Sequence, residues 1–351
     1  MDMNFEDYLI KSDISIIDAM KAIDKNTEGI VYACDDELCL LGALTDGDIR
    51  RHIIHGGDLN SPVSEIMTRK PIKLSVSERS QAGSCMEKHS ITSVPIVNDD
   101  NIIQEIIFQD LSIRSSRSKI NVPVVIMAGG KGTRLAPYTQ VLPKPLIPIG
   151  EKTITEHIID RFAEAGCDHF DIIVNYKKHL IKSYFRDVNL NVHTEFLEEN
   201  EFLGTAGGLQ LLHGRYDDSF FMTNCDILIE DDYASIMNYH KQNNNIITVV
   251  SAVKDTTIPY GVIDSTADGR ICAIREKPVI STIVNTGFYV LSPEFISMIP
   301  KDTFIHITDV IKNCIKQKMN VGMYPIAGDH WMDMGQMDEL QIMAARLQDR
   351  I

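Results

Sequence analysis

The chain has 351 residues, with 34 Lys and Arg against 49 Asp and Glu and a formal charge of −15. That length suits two domains of ~100–200 residues, and so acidic a chain repels phosphate backbones and anionic lipid, so neither nucleic acid nor a membrane is expected as partner. No stretch approaches the ~18 apolar residues of a membrane span, the start MDMNFEDYLI lacks a basic segment leading into an apolar run, and the seven Cys are scattered without a C-x-x-C pair; a soluble cytoplasmic protein with reduced thiols is expected.

From the N-terminus, Ile16, Ile17, Met20 and Ile23 recur at helical spacing, and Gly29–Tyr32 and Leu40–Leu44 read as strands. This copy closes on Thr45-Asp46-Gly47-Asp48-Ile49-Arg50-Arg51. A weaker second copy runs through Val63–Met67, a helical stretch around Ser77–Lys88, a strand at Thr92–Val97 and a close at Ile102–Leu111. Two β-α-β-β-α units of roughly 50 residues are too small to cover both sheet faces alone, so they are expected to pack together. The arrangement resembles a CBS-domain pair over about residues 5–118. The resemblance implies an adenine nucleotide between the copies and association into a homo-oligomer. Its motif is present in the first copy as Gly42, Thr45 and Asp48, the hydroxyl suiting phosphate and the carboxylate suiting ribose. In the second copy Gln104 and Ile107 depart from it, and Asp110 alone remains. Thr45 and Asp48 equally suit the cap of a helix beginning near Ile49. His52 and His55 are three apart with no third ligand nearby and read as solvated.

Ser112–Lys119 is polar, Ser-rich and basic, and reads as a linker dividing the chain into 1–118 and 119–351. Beyond it, the apolar strand Val122–Met127 runs into Ala128-Gly129-Gly130-Lys131-Gly132-Thr133-Arg134-Leu135. Thr155–Ala165 then carries Ile158, Ile159, Phe162 and Ala163 on one helical face, between strands at Asp171–Asn175, Ser219–Thr223 and Ile246–Val250. This alternation predicts an α/β fold with a mostly parallel sheet, whose ligands sit at the carboxyl ends of the strands. The glycine turn is neither a P-loop nor a dinucleotide fingerprint, yet its amides suit an anion. Arg134 is able to grip a phosphate with two donors, and Pro143 and Pro145 stiffen the backbone around Lys144; a solvated loop charge is the other reading of that lysine. Asp226 follows a strand and Asp333 comes in Trp331-Met332-Asp333. Two carboxylates meeting at one point call for a hard cation such as Mg²⁺, whereas taken singly they read as a turn-starting Asp226 and an N-cap Asp333 before a helical Met337–Leu347. The lone Trp331 reads as packing.

Six motifs in order then carry a specific likeness. They are Gly129-Gly130-Lys131-Gly132-Thr133-Arg134-Leu135 with Pro143-Lys144-Pro145, Leu203-Gly204-Thr205-Ala206-Gly207, Asn224-Cys225-Asp226, Glu276-Lys277-Pro278, Asn285-Thr286-Gly287 and Trp331-Met332-Asp333-Met334-Gly335. Together they resemble the sugar-1-phosphate nucleotidyltransferases over about residues 122–351. The resemblance implies a Rossmann-like domain in which a sugar 1-phosphate attacks the α-phosphorus of a nucleoside triphosphate and releases pyrophosphate. It implies Mg²⁺ on Asp226 and Asp333, and Arg134, Lys144 and Lys277 as the catalytic cations. It further implies nucleotide contacts from Ala128, Gly129, Gly130, Gly132, Thr133, Gly204, Thr205, Ala206 and Gly207, and sugar contacts from Gly261, Glu276 and Asn285. Glu276 and Lys277 also read as an ordinary solvated charge pair. A CBS-like pair joined to such a domain resembles the bacterial glucosamine-1-phosphate guanylyltransferases of legionaminic acid synthesis, which implies GTP and α-D-glucosamine 1-phosphate. Mannose-1-phosphate guanylyl transfer, a UTP- or CTP-dependent reaction, and a non-catalytic sensor of sugar nucleotides are the alternatives.

Overall fold

Helix Ile16–Asn26 forms because Ile16, Ala19, Met20 and Ile23 line one buried stripe, and it packs on the first of two small sheets. The structure, a computed structural model, describes residues 5–26, 28–109, 119–188 and 190–335. The chain falls into two compact units, Met1–Arg117 and Ser118–Ile351. In the first unit both copies share one plan. Leu9–Lys11, Ile30–Cys34 and Leu40–Thr45 form one three-stranded sheet, and Leu74–Ser75, Ser93–Val97 and Ile103–Phe108 form the other. In each, the first pair is parallel and the second antiparallel. The copies share one core, in which Tyr32, Leu40 and Ala43 pack with Val97 and Ile103, and the Tyr32 hydroxyl meets the Ser93 hydroxyl at 2.8 Å. Mutual burial is what units this small require.

Gly42, Thr45 and Asp48 have structural duties here. A Cβ on Gly42 would stand 2.7 Å from Met67 Sδ, so the glycine admits the Met67–Thr68 segment. Helix Asp46–Ile54 starts earlier than the apolar pattern suggests, and Thr45 is its N-cap. The Thr45 hydroxyl accepts from the Asp48 N–H, and the Asp48 carboxylate accepts from the Thr45 N–H at 3.0 Å and its hydroxyl at 2.7 Å. This reciprocal box satisfies donors that would otherwise be orphaned. His52 and His55 meet backbone carbonyls of Asp58 and Arg51. Asp110, the linker 112–118 and the helical Met337–Leu347 lie outside the described residues.

The second unit is built on a seven-stranded sheet, in the order His193–Glu198, His169–Val174, Val124–Ala128, Phe220–Asn224, Val279–Leu291, Ile247–Thr257, Val321–Ile326. Its pairs are parallel except those on either side of Val279–Leu291, the one reversed strand in this sheet. Alternation along the central strand feeds two cores: Val124, Ile126 and Ala128 face one side, Val125 the other. Helices Ile154–Glu164, Lys178–Asp187 and Tyr233–Gln242 cover the first face, with the Phe162 and Phe288 rings stacked at 5.5 Å. Helices Ile307–Lys316 and Pro293–Ser297 cover the second. This is the doubly covered, mostly parallel sheet that the alternating pattern requires.

Beyond the sheet, Ile247–Thr257 and Val279–Leu291 continue as an antiparallel pair into solvent, from the buried Ile247 opposite Leu291 to the exposed Thr257 opposite Val279. A hairpin of Val262–Ser265 and Ile271–Arg275 lies between them in sequence. This arm carries apolar side chains in water, Tyr260 at 74% and Ile274 at 62% exposure among them.

Candidate active site

The central strand ends at Ala128, and the chain turns through Gly129–Gly132 at the carboxyl edge of the sheet. Gly132 has φ +63°, and a Cβ there would stand 2.9 Å from Thr139 Cγ2 and 3.1 Å from Lys144 Cβ. A glycine is therefore required for Lys144 to lie against the loop. Pro143 precedes a single tight turn, Lys144–Leu146, whose Pro145 and Leu146 are buried. Anchored in this way, Lys144 reaches the Asp226 carboxylate across 82 residues of sequence, both side chains being largely buried. Arg134 is exposed on the short turn Thr133–Leu135 and makes no ion pair among the described residues. So these two of the three expected cations differ: Lys144 is held by Asp226, and Arg134 is exposed to solvent.

Asp226 and Asp333 are brought together by a short antiparallel ladder in which Ile227 faces Asp333. The Met334 N–H donates to the Asp226 carbonyl at 3.0 Å, so the two aspartates occupy neighbouring rungs. Asp333 ends the strand Trp331–Asp333 and accepts the Gly335 N–H at 2.7 Å; it caps no helix that starts within the described residues. Among the described residues no three His, Cys, Asp or Glu side chains gather as a closed metal cage. Two hard carboxylates, one already drawing a lysine ammonium, suit a cation whose remaining ligands are substrate oxygens. The residues fit Mg²⁺ in that open form. Burial pushes the neighbouring Cys225 thiol up to about 12, so it is no nucleophile at neutral pH. Trp331 packs against the core, with the Lys254 ammonium 5.3 Å from its ring centre.

The loop Leu203–Gly207 has a different internal logic from the one its small residues suggest. Gly204 has φ +83°, and a Cβ there would stand 2.5 Å from the Ile305 carbonyl. The Ala206 N–H donates to that carbonyl at 3.2 Å, and the Thr205 hydroxyl accepts the Ile307 N–H at 3.0 Å. These groups dock the loop on the 305–307 segment and leave fewer amides for a ligand than the motif implies.

Between this loop and the glycine turn lies a residue the motifs do not mark. Glu199 follows the strand His193–Glu198 and is 4% exposed. A Cβ on Gly129 would stand 2.5 Å from its Oε2, and one on Gly208 2.5 Å from its Oε1, so glycine on both sides makes room for the carboxyl. Oε1 has no hydrogen-bond partner. Burial pushes the carboxyl up to about 7, opposed by the Leu203 N–H. In sequence, Glu198-Glu199-Asn200-Glu201 looks like a solvated charge run; the sole hint was its place four residues ahead of the Leu203-Gly204 turn.

On the arm, the Glu276 carboxylate lies against Gly261, where a Cβ would stand 3.0 Å from Oε2. Lys277 has φ +45° and is exposed. Asn285 donates to the Tyr289 hydroxyl at 2.8 Å and accepts the Gly287 N–H at 3.0 Å, within its own strand. Among the described residues no hydrogen bond or ion pair links Glu276, Lys277 or Asn285 to Lys144 or Asp226.

A family model described as nucleotidyl transferase matches residues 123–350 of this chain. The chain belongs to that family. Its nucleotidyl transferase unit is similar to the mannose-1-phosphate guanyltransferase of Yarrowia lipolytica, 32% identical over 225 residues, 60% of each chain. It is also similar to the UTP–glucose-1-phosphate uridylyltransferase of Synechocystis sp., 33% identical over 195 residues, 50% of each. The chain thus spans about 60% and about half of the length of these relatives. Among solved structures, HddC from Yersinia pseudotuberculosis is 25% identical with a TM-score of 0.52, covering 64% of this chain and 99% of that one. Among the described residues no helix is long and apolar enough to cross a membrane.

Proposed function

We propose that the chain transfers a guanylyl group from GTP to a hexose 1-phosphate, with α-D-glucosamine 1-phosphate as acceptor, giving GDP-glucosamine and pyrophosphate for legionaminic acid synthesis. The observation that carries the reaction class is the meeting of Lys144 and Asp226 beside Gly132, with Asp333 on the next rung. Guanine is supported by the mannose-1-phosphate guanyltransferase relative, and the uridylyltransferase relative keeps UTP as the second reading. Glucosamine and its pathway rest on the joining of a two-copy unit to a transferase unit, with mannose 1-phosphate as the rival acceptor.

In this reaction a phosphate oxygen of the sugar forms a bond to the α-phosphorus, and the bond from that phosphorus to the bridging β-oxygen breaks, its electron pair leaving with pyrophosphate. The attacking oxygen is already anionic, so neither a general base nor a covalent nucleophile is needed, and catalysis rests on positioning and charge. Lys144 stabilises charge gathering on the α-phosphate, Arg134 takes the departing pyrophosphate, and Lys277 takes the sugar phosphate. The turn of Ala128, Gly129, Gly130, Gly132 and Thr133 lies along the phosphates, and Gly204–Gly207 flanks the base. Glu276, Asn285 and the Gly261 N–H meet the sugar hydroxyls. Asp226 and Asp333 would hold Mg²⁺, which neutralises charge between the two phosphates when bound.

The N-terminal unit is proposed as a CBS pair, 1–118, that binds an adenine nucleotide through Thr45, Asp48 and Asp110 and pairs chains into a homo-oligomer. Its support is the matched sheet plan of the two copies with their shared core. A ligand there has to compete with the Thr45–Asp48 cap. Pyrophosphate release across several triphosphates and sugar phosphates, with and without Mg²⁺, tests the transferase reading. Release from GTP and glucosamine 1-phosphate in the presence of Mg²⁺ is expected; nucleotide binding without release from any pair would leave a sensor instead.

A further inference from the structure

The ion pair of Lys144 and Asp226 joins an expected catalytic cation to an expected metal ligand, and the two side chains are only 15% and 12% exposed. Both backbones are tied down. The Pro145 carbonyl accepts the Thr155 hydroxyl at 2.9 Å, and the Ile147 N–H donates to the Lys144 carbonyl at 3.2 Å. On the other side, the Cys225 N–H donates to the Met127 carbonyl at 3.2 Å, and the Met334 N–H to that of Asp226 at 3.0 Å. The lysine stem lies along Gly132, where a Cβ would stand 3.1 Å from Lys144 Cβ and 3.6 Å from its Cδ. Little but the ammonium end is left to change partner.

We infer that Lys144 is the counter-ion of Asp226 while that carboxylate holds no divalent cation, and that it gives the carboxylate up when such a cation enters, becoming available to the α-phosphate. The inference rests on the nucleotidyl transfer reading above.

The argument is one of competition for a carboxylate. A carboxylate this enclosed is costly without a positive partner, and the ammonium supplies one. It brings a single charge, whereas a hard divalent cation brings two and draws on several oxygens at once. The two therefore exclude each other at Asp226, and by linkage each weakens the hold of the other by the same factor. An ammonium released beside a dication is repelled by it and is drawn to an anion, which in this site is substrate phosphate. Lys144 is thus free for phosphate only when Asp226 is otherwise occupied. Arg134, exposed and without an ion pair among the described residues, has no such exchange to make.

The test is binding of Mn²⁺ to the nucleotide-free full chain, read from the electron spin resonance of the free ion at fixed pH and ionic strength. Lys144→Met is expected to bind Mn²⁺ about tenfold more tightly than the wild type, and Asp226→Asn to lose the site. Lys144→Arg and Arg134→Met are expected to stay within about twofold of the wild type, the first because it keeps the counter-ion and the second because it removes a cation that is not one. A second reading needs no variant: acylation of Lys144, mapped by mass spectrometry, is expected to run several-fold faster at saturating Mn²⁺ than in chelator, with the exposed Lys301 unchanged. Equal Mn²⁺ affinity in the wild type and Lys144→Met, an equal gain in Arg134→Met, or Lys144 acylation indifferent to bound Mn²⁺ would overturn the counter-ion role alone. Binding by no variant, or binding untouched in Asp226→Asn, would overturn it together with the metal assignment of the transfer reading.

Discussion

Two buried glutamates in the same unit show how differently one side chain is used. At the start of helix Ile154–Glu164, burial would raise Glu156. The Thr153 N–H, the Tyr184 hydroxyl and the Thr153 hydroxyl, donating at 2.7–2.8 Å, instead hold its carboxyl below the ordinary value. At the end of strand His193–Glu198, Glu199 has the Leu203 N–H to oppose its burial and is pushed up to about 7. Both are less than a tenth exposed. The number of donors, more than the depth of burial, decides whether a buried carboxyl is held below or above its ordinary pKa. The Thr45–Asp48 box belongs with Glu156, since there too the carboxylate accepts an N–H and a hydroxyl from the residue it caps.

A third carboxyl, Asp226, is answered by a lysine, and that pair carries the largest expected effect. Lys144→Ala is expected to lower the kcat of pyrophosphate release about 10²–10³-fold, as loss of one transition-state donor does elsewhere. Steady-state rates near wild type would remove the lysine from the chemistry. Next comes the strain of an under-satisfied carboxyl. The folded pKa of Glu199 lies above its unfolded value, so its contribution to stability is complete below about 4.5 and lost as pH rises through about 7. Glu199→Gln is therefore expected to stabilise the ligand-free protein at alkaline pH by at most about 3 kcal/mol, and to change little near pH 5. Urea unfolding at the two pH values measures this, and equal shifts at both would mean that Glu199 is satisfied after all.

Glu156 carries the opposite sign. Its stabilisation is present above the unfolded carboxyl pKa and is lost as pH falls through the lowered folded one. Glu156→Ala is expected to destabilise by about 1–2 kcal/mol at neutral pH, with the difference shrinking in acid. A thermal-melt series from pH 7 downward reads it, and a constant difference would make the loss one of packing. The smallest effect belongs to Thr45→Val, about 1 kcal/mol from the lost cap, seen as earlier denaturant unfolding of the first unit. An unchanged midpoint there would leave Thr45 without a structural duty and strengthen its assignment to a ligand.

Much of this molecule is legible before folding. Apolar spacing marks Ile16–Asn26 and Ile154–Glu164 as helices and the central strands as buried, because burial imposes a period of 3.6 on a helix and continuous apolar character on a doubly covered strand. Pro143 and Pro145 announce a held lysine, since they restrict the backbone whatever surrounds it. The reversed strand Val279–Leu291 is not legible, because direction within a sheet leaves no mark on alternation. Nor does the motif of small residues at Gly204–Ala206 disclose that Ile305 occupies the space they leave.

Local sequence thus determined most of the elements and the repeated plan of the first unit, and the ordered motifs marked Lys144, Asp226 and Asp333 but not Glu199. Tertiary structure alone decided which segments meet: Lys144 with Asp226, the Asp226 backbone with the rung beside Asp333, and Glu199 with two glycines. The reason is physical. Secondary structure depends on neighbours a few residues away, whereas the charge state of a carboxyl depends on donors and solvent delivered by segments far along the chain.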